Sequence, residues 1–223
     1  MVIFRSFVRD LRIIKNIISK TIWVLISSYL IVAVLLHIPA VQRLIGDGLE
    51  GILARKFGTT VEVGRVNLGM LNRVTLDDIL VYDQQQKKML QITRLATRLN
   101  IIEILGGENV SISSIQLFGL KANLYKNNAQ SKPNFQFVVD SLSSGGADSG
   151  LNLKIQSIIV RHGAVKYDDN AAPVKHDVIS ANHIDLKGIS GHFVLESLTD
   201  KEAKATVRSL AFEENSGLAV KNL

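Results

Sequence analysis

The side chains able to do chemistry are few and scattered in this sequence. His162, His176, His183 and His192 stand singly, and none has a second ligand at a spacing that holds zinc. They read as exposed or turn histidines. Asp77-Asp78 and Asp168-Asp169 are adjacent pairs. Neighbours on a strand point to opposite faces, so neither pair acts on one substrate as acid and base, and turn or edge roles are expected. Gly106-Gly107 and Gly145-Gly146 lack the lysine or helix start that would cradle a phosphate. No G-x-S-x-G elbow occurs. The absence of cysteine excludes a disulfide scaffold, a thiolate metal site and a thiol nucleophile together. The expectation is a non-enzyme with no metal and no cofactor, whose working chemistry is apolar surface.

That surface begins with Thr21 to Gln42, 22 residues without a formal charge. As a helix it extends roughly 33 Å, enough to cross a bilayer core. Ile22, Trp23, Leu25, Tyr29, Leu30, Val34 and Leu36 would be its membrane-facing side chains. Arg5, Arg9, Arg12, Lys15 and Lys20 precede it against a single Asp10, which predicts a cytoplasmic amino terminus. The exit, His37-Ile38-Pro39-Ala40-Val41, has no A-x-A-like cleavage pair, so an uncleaved signal anchor is expected over a removed signal peptide. The formal charge of +6 is mostly this flank: residues 21–223 carry 21 basic and 19 acidic side chains. No basic stripe with interleaved aromatics follows, and nucleic-acid binding is not expected.

After Pro39, Leu44, Ile45, Leu49, Ile52, Leu53 and Phe57 recur with Val41 as one helical stripe. Gln42, Arg43, Asp47, Glu50 and Lys56 lie off it, and Gly58 is a good stop. This helix is expected to pack on its own domain; lying in the membrane interface is the alternative. Beyond Gly58 the texture is short strands. Thr60 to Val63 alternates, and Gly64-Arg65 shifts the phase, suggesting a bulge. Ile79–Tyr82 and Met89–Ile92 read as a hairpin. Further strands are expected at 93–101, 110–125, 151–160, 164–168, 182–187, 191–197 and 204–213. Asn134 to Leu142 fits a short helix with Asn134 as cap, and 143–150 is a loop by composition.

An apolar-x-x-apolar-x-apolar form recurs at Val63-Val66-Leu68, Ile112-Ile115-Leu117, Ile155-Ile158-Val160, Ala181-Ile184-Leu186 and Val207-Leu210-Phe212. Strands with one apolar face and no long helix between them favour a largely antiparallel sheet. That face is buried either by a second sheet, which pattern alone favours, or by curling into an open trough suited to acyl chains.

The order of basic tail, anchor, amphipathic helix and VEVGRVNLGMLNRVTLDDILVYDQQQKKMLQITRLATRLNIIEILGGENVSISSIQLFGLKANLY resembles the amino-terminal part of the AsmA-like family, closest to its TamB-type members. DLKGISGHFVLESLTDKEAKATVRSLAFEENSGLAVKNL is similar to that family's continuing groove strands. The resemblance implies a mainly β protein with a single N-terminal transmembrane helix, and an elongated, curled antiparallel sheet forming a groove, preceded by an amphipathic helix. The expected parts are a basic cytoplasmic tail (1–20), a transmembrane signal anchor (21–42), a helix closing the groove end (43–58) and a periplasmic sheet (59–223). Val61, Val63, Ile112, Ile115, Leu117, Ile155, Ile158 and Val160 would line the groove. The implied role is phospholipid transfer to the outer membrane, or outer-membrane protein assembly. The implied partners are the phospholipid bilayer, bound acyl chains and a BamA-like or TamA-like outer-membrane barrel. The alternative is an anchored scaffold that binds a protein by strand addition. Family members of this type are far longer, so 223 residues are expected to hold only the first part of a groove.

Overall fold

The structure is a computed structural model describing residues 2–69, 73–98, 111–112, 114–143, 154–174, 180–198 and 203–221. The chain divides into two units, Met1–Gln42 and Arg43–Leu223.

In the first unit, helix α1 runs Val2–Leu36. Its apolar window is Ile14–Leu36, 23 residues, about 34 Å at 1.5 Å per residue. None of this window is buried within the protein. The window therefore sits earlier than the sequence-expected 21–42, because the helix breaks at His37-Ile38. There the Leu36 carbonyl is taken by Gln42 Nε2 and the Ala33 carbonyl lies 2.7 Å from His37 Nδ1. Helix α2, Pro39–Phe57, starts on the proline, as proline's fixed φ favours.

The second unit is one open sheet of eight strands. They are β1 (Val61–Leu68), β2 (Arg73–Tyr82), β3 (Lys88–Arg98), β5 (Ile115–Lys126), β7 (Ser157–Asp169), β8 (His183–Leu198), β9 (Ala203–Glu214) and β10 (Ala219–Val220), in that spatial order. Strands β4 (Ser111–Ile112) and β6 (Lys154–Ile155) form a separate parallel pair, and helix α3 is Gln136–Ser143. The sheet is mixed. All neighbours are antiparallel except β5 and β7, which run parallel, and the connection between them carries α3 and β6, long enough for a crossover. No second sheet forms the sandwich that pattern alone favours among the described residues.

The second and third copies of the sequence repeat lie side by side across that parallel pair: Ile112 opposite Ile155, Ile115 opposite Ile158, Leu117 opposite Val160. The first copy marks something else. In β1 the inward residues are Val61 and Val63, then Val66 and Leu68, a step of three at Gly64-Arg65. The neighbours step at the same level. Pairing skips Gly64 opposite Asp78, Asp78 opposite Thr93, and Thr93 opposite Gly119, and resumes in the same register beyond. Between β5 and β7 it skips at Gly119 and His162. Asp78, Gly119 and His162 have φ near +60°, the left-handed conformation that turns the pleat over by one residue. A crease thus crosses five strands. The bulge expected at Gly64 is one part of it, and β1, β2, β3 and β5 keep one register across it, whereas β7 shifts against β8 between Val160 and Gly163. Strand β8 makes its own step at Gly188, also at positive φ.

The crease explains where strands extend further than expected. The stretches 157–160 and 164–168 are one strand through Arg161-His162, and 183–187 and 191–197 are one strand through Gly188.

Candidate functional site

The register puts one apolar set on one face of the sheet. On β1 to β3 it forms a buried cluster of Val61, Val63, Val66, Val74, Leu76, Ile79, Val81, Met89 and Ile92. Removing each such side chain from water is worth roughly 1.5–3 kcal/mol. Ile45, Leu49, Leu53 and Phe57 of α2 cover this cluster, as do Phe135, Phe137 and Val138 at the start of α3. Of the six expected groove-end residues, Leu44 stands apart at 72 % exposure, and Ile52 is half-buried. The sequence reading missed Gly46, which is buried and lets α2 approach Val66. It also set Glu50 off the apolar stripe and gave it no role. Glu50 Oε1 instead accepts the Val63 N–H at 2.6 Å, capping the edge strand β1.

Beyond β3 the same face continues through Ile115, Leu117, Leu120, Ala122 and Leu124 of β5. It then passes to β7, β8 and β9 through Ile158, Leu186, Phe193 and Leu210, all half-buried. Val160 and Ile189 are buried and close around Gly163, whose Cβ would lie 2.9 Å from Val160 Cγ1. Val207 is 44 % exposed. The eight groove candidates thus divide. Val61 and Val63 are core beneath α2, and Leu117 packs against that core. Ile115, Ile158 and Val160 lie on the continuing face, and Ile112 and Ile155 pair on β4 and β6. The opposite face is more polar, with Gln91, Arg94, Lys121 and Lys166 exposed among half-buried Leu80, Phe118 and Ile159.

A buried polar hub fixes α3 to the sheet. Asp83 has no exposure, and its Oδ1 accepts the N–H groups of Gln85 and Lys87, each at 2.9 Å. Its Oδ2 accepts the Tyr125 hydroxyl at 2.6 Å and lies 3.5 Å from Asn134 Nδ2. Burial alone would raise the Asp83 carboxyl. The hydrogen bonds from Tyr125, Lys87, Gln85 and Asn134 outweigh it and hold the group below its ordinary value. Burial and then the Asp83 hydrogen bond and charge push the Tyr125 phenol up to about 12. Asn134 is not the helix cap expected. Its Oδ1 accepts the Tyr125 N–H at 3.0 Å and its Nδ2 donates to the Asn123 carbonyl at 3.1 Å, so it acts as a one-residue strand partner for β5.

Asp77 and Asp78 are mid-strand at the crease, not at a turn. Asp77 is buried and accepts Arg94 Nε at 2.7 Å. Asp168 meets Lys166 at 2.9 Å and His183 at 3.3 Å. Burial alone would raise the Asp168 carboxyl, but these partners hold it low. Asp169 faces Lys126 at 3.9 Å. His162 and His192 lie on strands without metal-ligating company, and no group of three metal-ligating side chains forms among the described residues. His176 and both Gly-Gly pairs lie outside the described residues. Of the anchor residues, Ile22, Trp23, Leu25, Tyr29, Leu30 and Val34 are each at least half exposed, and Leu36 is partly covered.

No model of a known protein family matches this sequence, and no curated protein matches it.

Proposed function

We propose that this chain is a membrane-anchored carrier. Its open sheet offers acyl chains an apolar face in the transfer of phospholipid toward an outer membrane, or in outer-membrane protein assembly. The observation that carries this reading is the apolar face of β7, β8 and β9, which continues past the helix-covered cluster and leaves Ile158, Leu186, Phe193 and Leu210 half-exposed around buried Val160 and Ile189. An ordinary core would have closed it, because apolar surface left wet forfeits about 25 cal/mol per Å². α1 supplies one helix long and apolar enough to cross a membrane. In this reading its basic flank holds the amino terminus in the cytoplasm, the sheet lies in the periplasm, and a BamA-like or TamA-like barrel is the far partner. The reading assigns the chain no catalysis and no cofactor.

The test is photocrosslinking in cells from position 210, with exposed Lys121 on the polar face as control. Phospholipid adducts at 210 and none at 121 are expected. No adduct at either position, with the protein stable and inserted, removes the carrier reading. Leu117 is a poor probe because it packs against the closed cluster.

A second reading, a scaffold joined by strand addition, has its own observation. Strand β10 pairs only with Phe212 and Glu213, leaving the rest of β9 as an edge among the described residues. The opposite edge strand is capped by Glu50. Crosslinks from position 206 to a protein rather than to lipid would favour it.

A further inference from the structure

A cavity of about 350 Å³ lies at the ends of β2, β3 and β5, lined by Arg73, Ala96, Thr97, Arg98, Ser114 and Gln116. Three of its features are unfavourable as they stand. Arg73 lies directly opposite Arg98 in the β2–β3 register, and like charges so placed repel. Neither guanidinium has a carboxylate partner among the described residues. The sheet does supply one elsewhere, since Arg94 on the same strand is bound by Asp77. Third, Ser114 Oγ is buried with no hydrogen-bond partner among the described residues, while its carbonyl is held by Thr97 Oγ1 at 2.9 Å. A buried hydroxyl without a partner is rare and costly.

One occupant relieves all three. We propose that this cavity is an oxyanion site that takes a phosphate group, as a monoester, a diester or the free ion. Two guanidinium forks match the planar pairs of phosphate oxygens, and Ser114 Oγ and the Gln116 amide supply further donors. The anion turns the Arg73–Arg98 repulsion into a shared attraction. The site is independent of whether the apolar face carries acyl chains.

The test uses the full chain in neutral maltoside micelles, titrated separately with inorganic phosphate and with dihexanoyl phosphatidylglycerol. Binding is read by calorimetry and by the rise in Tm. Saturable binding is expected, weakened about tenfold or more by Arg73→Gln or Arg98→Gln and less by Ser114→Ala. Arg161→Gln, an exposed arginine elsewhere on the sheet, leaves it unchanged. Binding of both probes identifies a general phosphate site; binding of one alone identifies a headgroup site or a free-ion site. All three support the proposal. Binding of neither probe overturns it, as does an equal loss in Arg161→Gln. The ligand-free variants give a further check. Losing a repulsion, Arg98→Gln melts no lower than the wild type; a clearly lower Tm would make the arginine structural and overturn the assignment.

Discussion

Replacing Tyr125 with phenylalanine removes one oxygen and leaves the shape of the hub intact. The lost bond is the 2.6 Å hydroxyl contact to the Asp83 carboxylate, which has no exposure to water. A hydrogen bond to a charged group contributes about 1.5–3 kcal/mol, and more is at stake when the stranded partner is buried. For a folded unit of this length each kcal/mol moves Tm by about 2–4 °C, so Tyr125→Phe should melt about 3–12 °C below the wild type. The pH dependence gives a second signature. The Asp83 carboxyl is held low in the folded state, so its stabilisation is complete above the ordinary carboxylate range and is lost as pH falls through its lowered value. In Tyr125→Phe burial regains ground over the remaining hydrogen bonds, and the loss should begin at higher pH. At the alkaline end the Tyr125 phenol is raised to about 12, so its contribution is present below pH 10 and fades from there toward pH 12. Phenylalanine lacks that limb. The assay is thermal unfolding followed by circular dichroism across pH in a neutral detergent. A variant with the wild-type Tm and an unshifted acid limb would refute the claim that this bond holds Asp83 ionised.

Three further outcomes follow from the packing. Gly119→Ala should destabilise by about 2 kcal/mol or more, since φ is +62° and the new Cβ would sit 2.6 Å from Thr93 Oγ1; urea titration measures it. His162→Gly at the same crease should stabilise by about 0.5–1 kcal/mol by relieving a left-handed non-glycine residue, and a loss instead would mean the imidazole has a role of its own. Glu50→Ala should cost about 1–3 kcal/mol through the uncapped Val63 N–H and raise self-association at the β1 edge, read by sedimentation.

Composition made some of this legible and long-range pairing hid the rest. The uncharged run after Lys20 and the stripe Ile45, Leu49, Leu53, Phe57 announced both long helices, because each pattern is local. Pro39 marked where one helix can end and the next begin, while the uncharged run continues through His37 and Ile38 to Gln42, and the break itself is a matter of hydrogen bonding. The strands were visible as alternation, yet 157–169 read as two because a step of three resembles a gap. Only register shows that Arg161-His162 continues a line begun at Gly64-Arg65. Asn134 looked like a cap because its type suits one; the Tyr125 backbone that claims it lies across a turn. The Arg73–Arg98 pairing had no signal in the sequence, since the two are 25 positions apart and meet only through the β2–β3 register.

The crease also makes strand length a collective property. In a plain antiparallel sheet, a residue lost near one end of a strand can be absorbed by slipping that strand past its neighbours. Here each of five strands carries its phase reversal at one shared level. A strand slipped by one residue would misalign both its apolar pattern and its turning point, and would do so against two neighbours at once. The sheet thus carries an internal alignment mark that rejects near-miss pairings during folding. Deletions within these strands should be poorly tolerated. Compensating changes should come as matched shifts of the left-handed residue in adjacent strands.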